Sequence, residues 1–366
     1  MGALHPGDDL DALAARAVAV DGGVDGDALA PIEAELVERE DWAALAWVYE
    51  RLAPRADAPD LGRGLQLAAG LLKLERLGDG AGATEAFRRV LASDPECFEA
   101  WFGLASASLG VGDLPEALRS LERALEVAPE DRRLEIALEI ADRAARAGEV
   151  DRALSALGLA AEDGPGRARA VARARALLTE ERRWTEAISA ADEEAELEGE
   201  AEGTCPRALA DHLLAHPVFH EAAERLLERA RAAGDEGALA GLDALAAARS
   251  EWAERAQEAR HTGQEARDKR AAAAAHLTAG ELAWAYGADR IASAEHFDRA
   301  LLLMPADPDV LEVVGAVEAA SGRGRAWRER VVGLAGAAVG ATARRSLWAR
   351  AWRLAEGQLA DARSEE

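Results

Sequence analysis

Ala, Leu, Glu and Arg dominate nearly every window of the chain, and runs in which β-branched residues alternate with polar ones are absent. Those four residues are strong helix formers, whereas strict alternation is the mark of a half-buried strand. The pattern predicts an all-α fold.

The small and apolar positions also recur. Gly78-Asp79 returns 34 residues later as Gly112-Asp113, and Pro95 returns at the same offset as Pro129. Gly148-Glu149 and Pro165 follow at 36, and Ala153 and Ala187 are again 34 apart. Phe87, Leu121, Leu157 and Phe297 each stand 8 residues before a proline (Pro95, Pro129, Pro165 and Pro305), and Val90, Ala124, Ala160 and Ala300 stand 5 before the same prolines. Each position has a physical reason. Small residues at Ala117, Ala153 and Ala187 let two antiparallel helices approach closely, while Phe87 or Leu121 fills the space beside them. Gly-Asp ends the first helix in a left-handed turn and caps the second, and the proline stops the second helix.

Residues 98–131, FEAWFGLASASLGVGDLPEALRSLERALEVAPED, resemble a nearly complete tetratricopeptide repeat: Trp101, Leu104, Ala105, Gly112, Ala117, Leu121, Ala124 and Pro129 match that family's pattern. Ser108 replaces the large residue usual in the first helix, which predicts looser packing there. Weaker copies fall at 64–97, 134–167, 168–200 and 273–306, and a degenerate one ends in Asp41-Trp42 through Leu52. The resemblance implies a right-handed α-solenoid of antiparallel helix pairs with atypical capping helices, and a concave groove lined by the first helix of each pair. It would place Glu99, Phe102, Ser106 and Leu109 in that groove, followed by Glu135, Leu138 and Asp142. This set is acidic and apolar. It lacks the Lys/Asn/Arg combination with which some family members clamp a C-terminal carboxylate.

Along the chain, a flexible Gly/Asp-rich segment is expected over 1–26 and a degenerate helical hairpin with its loop over 27–63. The repeat array follows over 64–200. Residues 192–206, acidic and then breaking at Pro206, mark a boundary, and 201–272 read as helical but off-register. The repeat resumes within 273–366, which ends in Arg/Trp-rich capping helices.

Charge narrows the function. A net charge of −25 argues against general affinity for nucleic acid or anionic lipid, which requires clustered cations. Lys73 and Lys269 are the only lysines, and with abundant Ala and Gly this suggests a GC-rich bacterial genome. Cys97 and Cys205 form no disulfide framework, which favours a reducing compartment. Residues 1–20 do not read as a signal peptide, and the longest uncharged run, Val331 to Ala343, is shorter than the roughly 20 residues a membrane helix needs. A cytoplasmic protein without integral membrane contact is expected.

Candidate chemistry is thin. His212, His216 and His220 would align on an unbroken helix, but Pro217 interrupts it, so they read as loop and surface histidines rather than zinc ligands. DGGVDGD at 21–27 begins like a calcium loop, but Gly23 and Ile32 occupy ligand positions. GDGAGAT at 78–84 lacks the strand and lysine of a phosphate loop and is explained as an inter-helix turn. No catalytic residue, cofactor or metal is expected, and the chain reads as no enzyme.

The C-terminal stretch differs. Arg323, Arg325, Arg328, Arg330, Arg344, Arg345, Arg350 and Arg353 are opposed by Glu329 alone, with Trp327, Trp348 and Trp352 among them. It reads either as a cap burying Leu347 and Trp348 or as a basic surface made of Arg344, Arg345, Arg350, Arg353 and Trp352. The expectation that emerges is a scaffold whose groove holds a basic or apolar peptide or helical segment of another protein, with no nucleic acid. The alternatives are a peripheral membrane or nucleic-acid component acting through the C-terminal helices, and a non-catalytic regulatory subunit. Self-association stays open.

Overall fold

A computed structural model of the chain describes residues 6–18, 23–161, 166–198 and 207–364. Pro165, Cys205, the first two residues of the DGGVDGD segment and positions 199–206 of the expected boundary lie outside them. The described residues form helices and turns with no strand, only an isolated bridge between Val18 and Val24.

The chain divides into two compact units, Met1–Ala170 and Val171–Glu366. The first holds α1 (Pro6–Arg16), α2 (Gly26–Glu38), α3 (Trp42–Leu52), α4 (Pro59–Glu75), α5 (Gly80–Ser93), α6 (Phe98–Gly110), α7 (Leu114–Val127), α8 (Glu130–Arg146) and α9 (Val150–Ala161). The division falls within α10 (Arg167–Glu180). The second holds α11 (Trp184–Glu198), α12 (Arg207–Leu213), a 3₁₀ turn at Pro217–Phe219, α13 (His220–Ala232), α14 (Ala238–Glu265), α15 (Lys269–Ala285), α16 (Arg290–Leu303), α17 (Pro308–Ala320), α18 (Gly324–Ala337) and α19 (Ala341–Ser364). Helices pair as α4–α5, α6–α7 and α8–α9 in the first unit and as α15–α16 and α17–α18 in the second.

One turn design joins the pairs. A residue with positive φ ends the first helix at Gly78 (64°), Gly112 (80°), Gly148 (78°), Arg182 (57°), Ala288 (49°) and Gly322 (70°). The aspartate that follows several of these caps the next helix: Asp79 accepts from the Gly82 amide at 2.9 Å, Asp113 from Glu116 at 3.1 Å, and Asp289 from Ala292 at 3.0 Å. The left-handed residue is therefore a better ruler of the repeat than glycine is, because Arg182 and Ala288 adopt the same conformation at a steric cost.

Packing follows the ruler. Phe87, Val90 and Leu104 are buried together in the first unit, and burying an aromatic or aliphatic side chain of this kind contributes about 1.5–3 kcal/mol. Ser108 satisfies its hydroxyl within its own helix. It is buried, and its hydroxyl donates to the Leu104 carbonyl at 2.8 Å. In α17–α18 a large residue stands where the clearest repeat has a small one. Trp327 stands 5 residues after Gly322, as Ala117 does after Gly112, and Gly315 stands 7 before, as Ala105 does. Trp327 is buried, and a Cβ on Gly315 would meet its Nε1 at 2.9 Å.

Candidate functional site

Helical spacing puts Glu99, Phe102, Ser106 and Leu109 along one stripe of α6. Glu99 is exposed, and the other three are half-buried. Phe98, one turn before Phe102, stacks on it with centroids 5.9 Å apart and planes inclined 28°. Arg132 of α8 lies over both rings, its guanidinium 5.7 Å from the Phe98 centroid and 5.6 Å from that of Phe102. Its Nε also donates to Glu135 at 2.9 Å. The stripe read as acidic and apolar thus carries a cation shared between two rings and a carboxylate. The sequence reading missed Phe98 and Arg132, although the i, i+4 aromatic pair and the Arg–Glu pair at i, i+3 were both visible.

Glu135 is exposed, and Leu138 and Asp142 are half-buried on α8. The Cys97 thiol lies 3.6 Å from Glu99 Oε2, and burial pushes its pKa up, so it is a packed thiol rather than a nucleophile.

Counting back from the left-handed residue finds the same positions in the second unit. Asp309 precedes Gly322 by 13, as Glu99 precedes Gly112, and Glu312 precedes it by 10, as Phe102 does. Leu282 precedes Ala288 by 6, the place of Ser106. None is open as its counterpart is. Arg182 Nη1 donates to Asp309 at 2.6 Å, the Thr185 amide donates to Glu312 at 3.1 Å, and Arg350 pairs with Glu312 at 2.7 Å. Leu282 is fully buried.

Beside it, Glu281 is 1% exposed, with Oε1 3.3 Å from His216 Nδ1. Burial raises the Glu281 pKa against the pull of the imidazole. Burial alone would lower that of His216, but the adjacent carboxylate outweighs it and the net shift is upward.

Of the three histidines His212 is exposed, as expected, whereas His216 is half-buried in the loop before Pro217 and His220 is buried. Helix α12 stops at Leu213, before His216. His216 is enclosed by Glu281, and Trp184 stacks on His212 at 5.7 Å. His220 is buried, with Nδ1 against the Tyr286 hydroxyl and Nε2 3.0 Å from the Leu214 carbonyl. Among the described residues no three His, Cys, Asp or Glu side chains gather as a metal site.

At the C-terminus, Leu347 is buried, while Trp348 and Trp352 are 47% and 68% exposed, so the cap does not bury Trp348. Arg344 donates to the Ala338 carbonyl at 3.2 Å, and Arg345 is exposed. Arg350 points inward to Glu312 and to the Leu311 carbonyl at 3.0 Å, which removes it from the basic surface. Arg353 is also engaged within the chain. Among the described residues no helix is long and apolar enough to cross a membrane.

A family model described as tetratricopeptide repeat matches residues 71–132 and 106–167. No curated protein matches the chain. Among solved structures, the chain is similar to MamA at 18% identity, covering 44% of this chain and 91% of that one with a TM-score of 0.33. It is similar to a tetratricopeptide repeat protein from Parabacteroides merdae at 14% identity, covering 77% and 94% with a TM-score of 0.34. It is similar to PilF of Pseudomonas aeruginosa at 17% identity, covering 69% and 96% with a TM-score of 0.30. The matched residues include the left-handed turns at Gly78, Gly112 and Gly148, and over 71–167 the chain carries tetratricopeptide repeats, which generally bind other proteins.

Proposed function

We propose that the chain is a cytoplasmic scaffold holding a basic or apolar segment of another protein against α6 and α8 of the first unit. The observation that carries this reading is the half-buried Phe98–Phe102 stack beside exposed Glu99 and Glu135. Partly exposed rings supply contact area at low conformational cost, and binding energy concentrates on such anchors. Arg132 already supplies one cation to the rings and to Glu135. An incoming arginine or lysine meets a template of its own contacts there.

Charge reversal tests it. Once a partner is isolated, Glu99→Arg with Glu135→Arg should slow its association and flatten the salt dependence of the on-rate. An unchanged on-rate at low salt would count against the reading.

The second reading places the partner on α19, favoured by the exposed Trp348 and Trp352 beside Arg344 and Arg345. Arg344→Ala with Arg345→Ala separates it from the first, because neither residue belongs to the buried pair at Glu312.

A further inference from the structure

The stripe that stands open in the first unit is covered in the second by the chain itself. The covering pieces are Arg182–Thr185, at the start of α11, and His216–Phe219, in the 3₁₀ turn. The turn packs against α15 and α17, and α11 packs against α17. What they bring is an arginine on Asp309, a backbone amide on Glu312, an imidazole on Glu281, and the buried side chains of Pro217 and Phe219. That is the chemistry of a short basic segment with an apolar anchor laid on an acidic helix face.

The fit is incomplete. Asp309 Oδ1, Arg350 Nε and Trp184 Nε1 are buried without a hydrogen-bond partner. Buried polar atoms in this state disfavour the arrangement that buries them. A ligand that satisfied them would therefore compete well. Arg182 is also held at φ 57°, a conformation that only glycine adopts without strain.

We propose that Arg182–Thr185 and His216–Phe219 are an internal occupant of the second unit's acidic stripe, displaced when an arginine-rich segment of a partner protein docks on Asp309 and Glu312. The proposal rests on the acidic-stripe reading given under Proposed function and adds a second, self-covered copy of it.

The test uses the full chain and a fluorescein-labelled arginine-rich peptide with a single phenylalanine. Arg182→Gly deletes the contact to Asp309 and relieves the left-handed strain, so the variant keeps its fold. Arg325→Ala makes the same charge change on an exposed residue and sets the electrostatic baseline. Arg182→Gly should bind the peptide at least tenfold more tightly than Arg325→Ala, and adding Asp309→Asn should remove the gain. In the wild type, bound peptide should speed hydrogen exchange at the Thr185 amide. Equal affinity of Arg182→Gly and Arg325→Ala, a gain that survives Asp309→Asn, or unaltered exchange at Thr185 would overturn the proposal. None of these outcomes involves Phe102, so failure here is distinct from failure of the first-unit reading.

Discussion

A Cβ placed on Gly103 would lie 2.5 Å from Cζ of Phe87, so the ring that ends one helix pair is seated on the bare backbone of the next. Gly103→Ala should therefore overpack the α5–α6 contact and cost roughly 1–3 kcal/mol. Gly110, in the same helix with nothing near its Cβ, should accept alanine with no loss. Urea unfolding midpoints of the two variants compare them directly, and equal midpoints would contradict the seating.

Ala288 and Gly322 hold equivalent turns 34 residues apart, at φ 49° and 70°. Ala288→Gly should stabilise the second unit by about 1 kcal/mol through relief of the left-handed backbone, and Gly322→Ala should cost a similar amount. Thermal unfolding midpoints that move in the opposite directions would show that these residues do not share a turn design.

The repeat was legible where glycine marks the turn and alanine faces the large residue, as in residues 98–131. It was hidden where chemistry changes but conformation does not. Arg182 and Ala288 stand in glycine's place, and Trp327 stands where a small residue is expected because Gly315 receives it. A pattern of residue types cannot register such a change, since whether a large side chain fits at one position depends on the residue that faces it. The groove stripe on α6 was legible from helical spacing. The covering of Asp309 and Glu312 was not, because Arg182 and Asp309 meet across a sequence separation of 127. Two of the three histidines departed from the surface reading for the same reason: Glu281, far along the chain, half-buries His216, and Tyr286 receives His220.

The interior histidines make the second unit acid-sensitive. His276 Nδ1 and His296 Nδ1 are 3.1 Å apart, so only one can carry a proton into that contact. Burial lowers the pKa of His220, His276 and His296, with Arg299 lowering the last two further, His276 lowering His296, and Glu295 opposing at His296. Arg260 adds to the positive field at His296. With folded-state values below the ordinary 6.5, the unfolded chain binds more protons, so stability falls as the pH drops through that value. His216, shifted upward, works the other way and offsets part of the loss. Hydrogen exchange at pH 5.5 against pH 7.5 should show α15 and α16 losing protection before α6 and α7; the reverse order would refute the assignment.

Arg350 and Arg345 lie on one helix with opposite roles. Arg350→Ala leaves the Glu312 carboxylate buried without its cation and should cost roughly 3–5 kcal/mol. Arg345→Ala, on the exposed face, should stay within about 0.5 kcal/mol of wild type. Chemical denaturation that ranked the two equally would place Arg350 on the surface after all.

The most direct test of the scaffold reading is the affinity of an isolated partner for wild type, Phe102→Ala, and the Arg344→Ala/Arg345→Ala double variant, measured by calorimetry on chains with unchanged circular dichroism. Phe102→Ala should weaken binding by more than about 1 kcal/mol, the threshold of an anchor residue, while the double variant should bind like wild type. Binding that survives Phe102→Ala and fails in the double variant would contradict it and move the partner to α19.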